Sequence, residues 1–455
     1  MSTPALLGIA AGGIALLLVL IIRFQVHAFI AMRLVSFLVA LAAGLPIADS
    51  IPTLISCMGG TLGSVAILVA LGAMLGRMIE VSGGAGSMAH RFTELLGPTR
   101  VPAALTAAAL VLSIPVFFDV GFIILVPIIY GFCKAAGVDP VKFGLPVAGI
   151  MLATHVVMPP HPGIVGGAAV LKADIGWITL IGLGICLVLA VLSQFVSRGL
   201  NRKRYATLPT TAAQFAAFDA GADASARQKL QAPGVGVVLT LIAVPLLLIM
   251  IGTTGATLLP KGDPLRNVLG FIGSPIFALM VAIGLAFVMI AKRQGWSKTH
   301  TNEVMESALP PAATVILVTG AGGVFAKVLT ATGIGAALSQ SIAAAHLPLI
   351  LAAFVISLAL RAAQGSATVA ILTTAGLLAE AVVAGGYSAV QVALLAVAIG
   401  FGGLGLSHVN DSGFWIVTRY LGLSVADGLR SWTVLTTVLG VAGFLMTAAL
   451  WALLA

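Results

Sequence analysis

The sequence predicts an all-α polytopic membrane protein, with about 10–14 transmembrane segments at about 20 residues per crossing, two repeat halves, and broken or re-entrant helices. Three observations carry that expectation. Of 455 residues, 60% are hydrophobic and only 8% charged, against about 25% charged in soluble domains; mean hydropathy is +1.15. Largely apolar stretches recur along the whole chain. Four of them are interrupted by polar residues, Gly and Pro, in an order that repeats.

The first apolar stretch, MSTPALLGIAAGGIALLLVLII, meets no charge before Arg23. It lacks the basic leading region of a cleaved signal peptide and reads as a first span. Further stretches at 34–56, 61–76, 101–133, 143–171 and 175–196 complete an N-terminal membrane half, 1–196. The interval 197–233 is polar and holds six basic residues against two Asp, so the positive-inside tendency makes it a cytoplasmic linker. Within it, Tyr205 through Ala226 reads as a plain, partly disordered connection. Stretches at 234–259, 269–291, 308–328, 347–379, 381–406 and 431–455 form a C-terminal membrane half, 234–455. Lys292, Arg293 and Lys298 place the turn after the second of these back inside the cell.

The net charge of +9 is spread thinly and forms no nucleic-acid surface. The 53 Gly suit helices that approach closely or break inside lipid. Cys57, Cys133 and Cys186 lie in apolar sequence without ligand spacing, which suggests neither disulfides nor a metal site. The chain contains no GxxxxGK[ST] phosphate loop, the feature an ATP-driven pump would need.

An internal repeat emerges at an offset near 250 residues. GAMLGRMIEVSG (72–83) matches GGVFAKVLTATG (322–333), setting Arg77 beside Lys327 and Gly83 beside Gly333. THV (154–156) pairs with SHV (407–409), and IPVFFDVG (114–121) occupies the place of RAAQGSAT (361–368). The common order of these short matches indicates a duplication.

The interruptions carry the chemistry. Between Val101 and Cys133 the only charge is Asp119. A carboxylate at that depth must be paired, hydrated or protonated, and Pro115 with Gly121 suits a re-entrant hairpin; a short surface loop is the plain alternative. In LATHVVMPPHPGIVGG (152–167), Pro159, Pro160 and Pro162 forbid a continuous helix, and Thr154 and His155 bring polar groups to the break. His161 lies among the same breakers, but two His without a third ligand make a poor metal site. In the second half, Arg361 is the only charge from Leu347 to Ala379 and is followed by Gln364, Ser366 and Thr368. A cation beside small polar groups suits an anionic, hydroxylated substrate, and snorkelling to the membrane surface is the alternative. The fourth break, 400–417, gathers Ser407, His408, Asn410, Asp411 and Ser412, either as polyol ligands or as an interfacial loop.

Broken helices aim free N–H groups and positive dipole ends at a central site, which favours a carboxylate. A titrating Asp then couples movement to protons, and Asp119 and Asp411 are the two candidates. The expected coupling ion is a proton, with no other cofactor and no metal. The expected partners are a small carboxylate substrate, protons and the lipid bilayer, with no nucleic acid.

FFDVGF (117–122), THVVMPPHPG (154–163), QGSATVA (364–370) and SHVNDSGFW (407–415) together resemble the bacterial gluconate permease family of gluconate:proton symporters. The resemblance spans nearly the whole chain in length, motif order and linker. It implies an inner-membrane secondary transporter for gluconate or a related hydroxy-acid, driven by proton influx, in the wider ion-transporter group with inverted repeats. It also implies functional weight at Asp119, His155, Asn410 and Asp411. D-Serine uptake is the rival within the family, a channel-like protein the rival outside it, and analogy with related carriers adds a homodimer. An enzyme is not expected, because no strand–turn–helix nucleophile or membrane-protease pattern accompanies the Ser and His residues.

Overall fold

The computed structural model describes residues 1–24, 26–97, 100–203, 205–217, 232–260, 262–344, 347–408 and 411–454, and these contain helices and no strand. The N-terminal half runs through α1 (Thr3–Ile22), α2 (Ala28–Ala42), α3 (Ile47–Val81), α4 (Gly84–Leu96), α5 (Val101–Leu112), α6 (Phe118–Ala136), α7 (Pro140–Val157), α8 (Pro162–Leu171) and α9 (Ile175–Leu200). After α10 (Pro209–Ala217) come α11 (Val235–Leu258), α12 (Pro264–Ile272), α13 (Pro275–Ala286), α14 (Lys298–Glu306), α15 (Leu309–Ala331), α16 (Ile334–Ala344), α17 (Leu349–Gln364), α18 (Ala367–Ala384), α19 (Ala389–Leu404), α20 (Ser412–Leu421), α21 (Val425–Gly428) and α22 (Val434–Leu454).

Five helical segments among the described residues are long and apolar enough to cross a bilayer, and eight if each bent pair is one span. Six shorter apolar helices of 10–17 residues carry the rest. The apolar sequence is therefore divided between full spans and half-length pieces, as the interruptions require. Two boundaries differ from expectation. The stretches at 34–56 and 61–76 are recut, because α2 ends at Ala42, Gly44 turns the chain with φ +89° and α3 then runs 35 residues without a break. The linker begins later than 197, because α9 continues to Leu200.

Helix caps place the duplication more finely than sequence matching does. Gly83 and Gly333 both adopt positive φ, 81° and 76°, the left-handed region open to glycine. They sit at bends of 68° and 70° that turn α3 into α4 and α15 into α16. Downstream, Lys172 and Gly422 end α8 and α20 in left-handed conformation, and Asp174 and Ser424 cap the following helices; each pair is 250 residues apart in the numbering. The THV and SHV motifs are not equivalent. Four residues separate α7 from α8 and seven separate α19 from α20, so His155 sits in the last turn of α7 while His408 lies in the longer break.

The halves run in opposite directions. Gln194 Nε2 donates to the Pro102 carbonyl at 2.9 Å and Asn201 Nδ2 to that of Lys142 at 3.5 Å, so α5 and α7 start where α9 ends, at the linker face. At the same face, Leu208 N donates to the Gly422 carbonyl at 2.8 Å and Thr211 Oγ1 to that of Arg419 at 2.7 Å, so α20 ends there. The broken helix α7–α8 thus leaves the linker face and α19–α20 arrives at it: the repeat is inverted, the arrangement recurrent in secondary carriers. The same contacts correct the plain linker, because residues 209–217 form α10, docked on α20. Residues 218–231 lie outside the described residues.

Close backbone approach seats the breaks against α3. A Cβ on Gly76 would stand 2.3 Å from the Pro115 carbonyl oxygen, and one on Gly72 would stand 2.4 Å from the Pro160 ring. The hairpin tip between α5 and α6 and the break between α7 and α8 therefore rest on a glycine face of one long helix.

Candidate functional site

Four helices begin at one cavity of about 460 Å³, within the range of about 300–1,000 Å³ typical of small-molecule sites. α6 contributes Phe117, Phe118 and Asp119; α8 His161 and Pro162; α18 Ser366, Ala367 and Thr368; and α20 Asp411, Ser412 and Gly413. Leu152, His155 and Val156 from the last turns of α7, with Arg361 and Gly365 from the end of α17, close the wall. The first-turn amides of each helix have no partner in their own helix, and the positive ends of four dipoles meet here.

Arg361 and Asp411 form the centre. Arg361 is only 2% exposed and Asp411 6%, and Arg361 Nη2 is in ion-pair contact with Asp411 Oδ2. Arg361 Nη1 also donates to the Gly365 carbonyl, which fastens the guanidinium across the end of α17. Asp411 caps α20, its Oδ1 accepting from Gly413 N at 3.1 Å, while Oδ2 also accepts from Ser407 Oγ. Ser407 Oγ in turn accepts from Trp432 Nε1 at 2.7 Å. The buried Trp432 ring stacks on Phe118 with centroids 6.0 Å apart. Arg361 therefore does not snorkel to a surface; it is paired inside the protein.

Asp119 differs. It is exposed on the cavity wall and makes no hydrogen bond or ion pair among the described residues. Ser366 caps α18 by accepting from Val369 N at 3.3 Å, Thr368 stands in the following turn, and Ser412 is exposed at the start of α20. The His155 ring lies edge-on to Phe117 at 5.8 Å and to His161 at 4.4 Å.

The expected site residues divide accordingly. Asp119, His155, Arg361, Ser366, Thr368, Asp411 and Ser412 share the cavity. Thr154 is fully buried, and its hydroxyl has no hydrogen-bond partner among the described residues. Ser407 stands behind Asp411, and His408 turns away, its Nε2 2.7 Å from the Ala362 carbonyl. These two hold the break in shape, because backbone outside a helix needs side-chain partners in place of helical ones. Gln364 ends α17, but its side chain lies outside the described residues, as does Asn410. Phe117, Phe118, His161 and Trp432 were not expected. His161 carried a signal, as the polar residue among the prolines; Trp432 carried only its place at the head of the last span. Among the described residues no three or more His, Cys, Asp or Glu group as a metal would require, and Cys133 and Cys186 are free and buried.

Comparison with known proteins places this arrangement. The family model described as GntP family permease matches residues 5–454. The inner membrane permease YgbN of Escherichia coli K12 is 56% identical over 100% of both chains. The low-affinity gluconate transporter of the same strain is 34% identical over 97% of each. Its Gnt-II system L-idonate transporter is 31% identical, covering 96% of this chain and 97% of its own. Among solved structures, the Alcanivorax borkumensis YdaH transporter aligns with a TM-score of 0.61 at 16% identity, covering 94% of this chain and 98% of its own. Neisseria gonorrhoeae MtrF aligns at 0.64 and 12%, covering 91% and 93%. At those identities the likeness is one of fold alone.

Proposed function

The chain belongs to the GntP permease family, and on that premise we propose that it carries gluconate or a closely related small hydroxy-acid anion across the bacterial inner membrane together with a proton. The observation that carries the reading is the convergence of four helix N-termini on a cavity whose fixed guanidinium is already neutralised by Asp411. Such a site receives a carboxylate on amides and dipole ends without presenting a large net positive charge.

Asp119 is the group we assign to the proton. Asp411 is held by Arg361, Ser407 and its own helix cap, so protonating it would dismantle the site, whereas Asp119 is unengaged. A substrate carboxylate and an ionised Asp119 in one cavity repel by about 2 kcal/mol at ~8 Å in an effective dielectric near 20, about thirtyfold in affinity. Protonation of Asp119 removes that repulsion, so anion and proton favour each other's binding, and reciprocity of linkage makes this coupling. Thr368, His155 and Ser412 offer hydroxyl and imidazole partners for the polyol. The homodimer expected by analogy is part of the same proposal, and the mass of the purified protein in detergent tests it.

The test is uptake into proteoliposomes under an imposed proton gradient with gluconate, L-idonate, glycerate and D-serine, the last because a zwitterion would set its ammonium on Asp119. Accumulation of a hydroxy-acid that collapses with the gradient supports the reading. Uptake indifferent to the gradient, or of none of the hydroxy-acids, sinks it.

A further inference from the structure

Inversion gives every position at the cavity a counterpart in the other half, and the counterpart of Asp411 is His161. Each is the cap of a half-helix, α20 and α8 respectively, their numbers differ by 250, and both line the cavity. Asp411 is fully engaged. His161 is 7% exposed, and its Nδ1 is buried with no hydrogen-bond partner among the described residues.

The ring is nevertheless held in place. His155 packs against it at 4.4 Å. Gly163 also lies against it, where a Cβ would stand 2.8 Å from Cε1 and 3.2 Å from Nδ1 of His161, and 3.0 Å from the Thr368 backbone. An oriented imidazole at a cavity wall with an unpartnered nitrogen is an arrangement that a ligand completes, because a buried polar atom left without a partner is costly.

We propose that His161 is a specificity-determining residue that hydrogen-bonds a hydroxyl group of the bound hydroxy-acid. The inference rests on the substrate class assigned above and extends it to a named contact. Hydroxyl is the matching chemistry: an uncharged imidazole offers one donor and one acceptor nitrogen, and a hydroxyl both donates and accepts. A carboxylate only accepts, and the helix N-termini already serve it. A polar group built to meet a substrate hydroxyl discriminates strongly against an analogue that lacks it.

The experiment is uptake kinetics in proteoliposomes for the unaltered protein, His161→Leu, His161→Asn and His161→Gln, each checked for insertion. The substrates are the best-transported hydroxy-acid and its analogues each lacking one hydroxyl. His161→Leu should raise KM for the full substrate about tenfold or more with kcat little changed, and should leave KM unchanged for the one analogue missing the contacted hydroxyl. One of the two amide variants should recover part of the loss, Asn placing an amide near the Nδ1 position and Gln near Nε2. An equal rise in KM for every analogue indicates a merely structural ring and overturns the proposal, as does no rise at all. Should His161→Leu fail to insert, the amide variants carry the same comparison across analogues. Absence of hydroxy-acid uptake by the unaltered protein overturns the substrate class itself, and that result is read before any variant is compared.

Discussion

Replacing Asp411 by Asn removes one charge and almost nothing else. Asn caps a helix as well as Asp does, so the bond from Gly413 N to Oδ1, 3.1 Å long, is retained. At the other oxygen an amide nitrogen would face Arg361 Nη2 and the Ser407 hydroxyl, turning two attractive contacts into a meeting of donors. Arg361, at 2% exposure, would then be a buried cation without its counter-ion. Breaking a buried pair from one side costs about 3–5 kcal/mol, while replacing both partners by uncharged groups costs far less. Asp411→Asn should therefore lose about 3–5 kcal/mol of stability together with uptake, and Arg361→Met combined with Asp411→Asn should be more stable than Asp411→Asn alone. The assay is unfolding in mixed micelles titrated with SDS for the unaltered protein, both single variants and the double. Strictly additive losses, or a loss below the roughly 1 kcal/mol of an exposed pair, would refute a buried, mutually dependent pair.

Asp119→Asn should leave stability within about 1 kcal/mol, since no bond is lost, and should abolish gradient-driven accumulation while preserving substrate exchange. Counterflow and pH-jump uptake on the same vesicles separate the two, and KM should lose its pH dependence. Gly76→Ala should press a Cβ into the Pro115 carbonyl, 2.3 Å away, and cost about 1–3 kcal/mol as overpacking, read by the same unfolding titration. Cysteines introduced at Arg198 or Lys203 should resist an external membrane-impermeant reagent in intact cells and react in inverted vesicles; labelling in intact cells would reverse the orientation.

Much of this site was legible because broken membrane helices advertise themselves. Asp119, Arg361 and Asp411 stood out as charges in apolar sequence, and the prolines and glycines around them marked where helices stop. What the charges do to one another was not legible: nothing local to Arg361 indicates that its partner lies fifty residues on, since that contact depends on two helix ends meeting. The repeat was visible in Gly83 and Gly333 because positive φ selects glycine. It was misread at THV and SHV because three extra residues in the second break shift the identities while leaving the caps in register. Ser407 and His408 looked like ligands for a similar reason: a long break needs internal hydrogen bonds, and composition does not distinguish those from groups offered to a substrate. The α10 segment, of modest hydropathy, is ordered by α20 against it, a tertiary contact without a local signature.

The inverted arrangement also bears on why this carrier works with so few charges. Each half supplies one hairpin tip and one broken helix, so an anion bound at the centre would meet two positive helix ends from α6 and α8 and two from α18 and α20. Each end contributes about 0.3–1 kcal/mol, together about 1–4 kcal/mol, which is the same size as the repulsion of about 2 kcal/mol from an ionised Asp119. On the proposed assignment the two terms nearly offset each other, and protonation of Asp119 would decide whether the anion is held. Had Arg361 been unpaired, its full charge would offset that of Asp119, the helix ends would be left to favour the anion, and it would bind whatever the proton did. In the proposed mechanism, neutralising Arg361 with Asp411 would leave the decision to Asp119, and a carrier with both an unengaged Arg361 and tight coupling would contradict this balance.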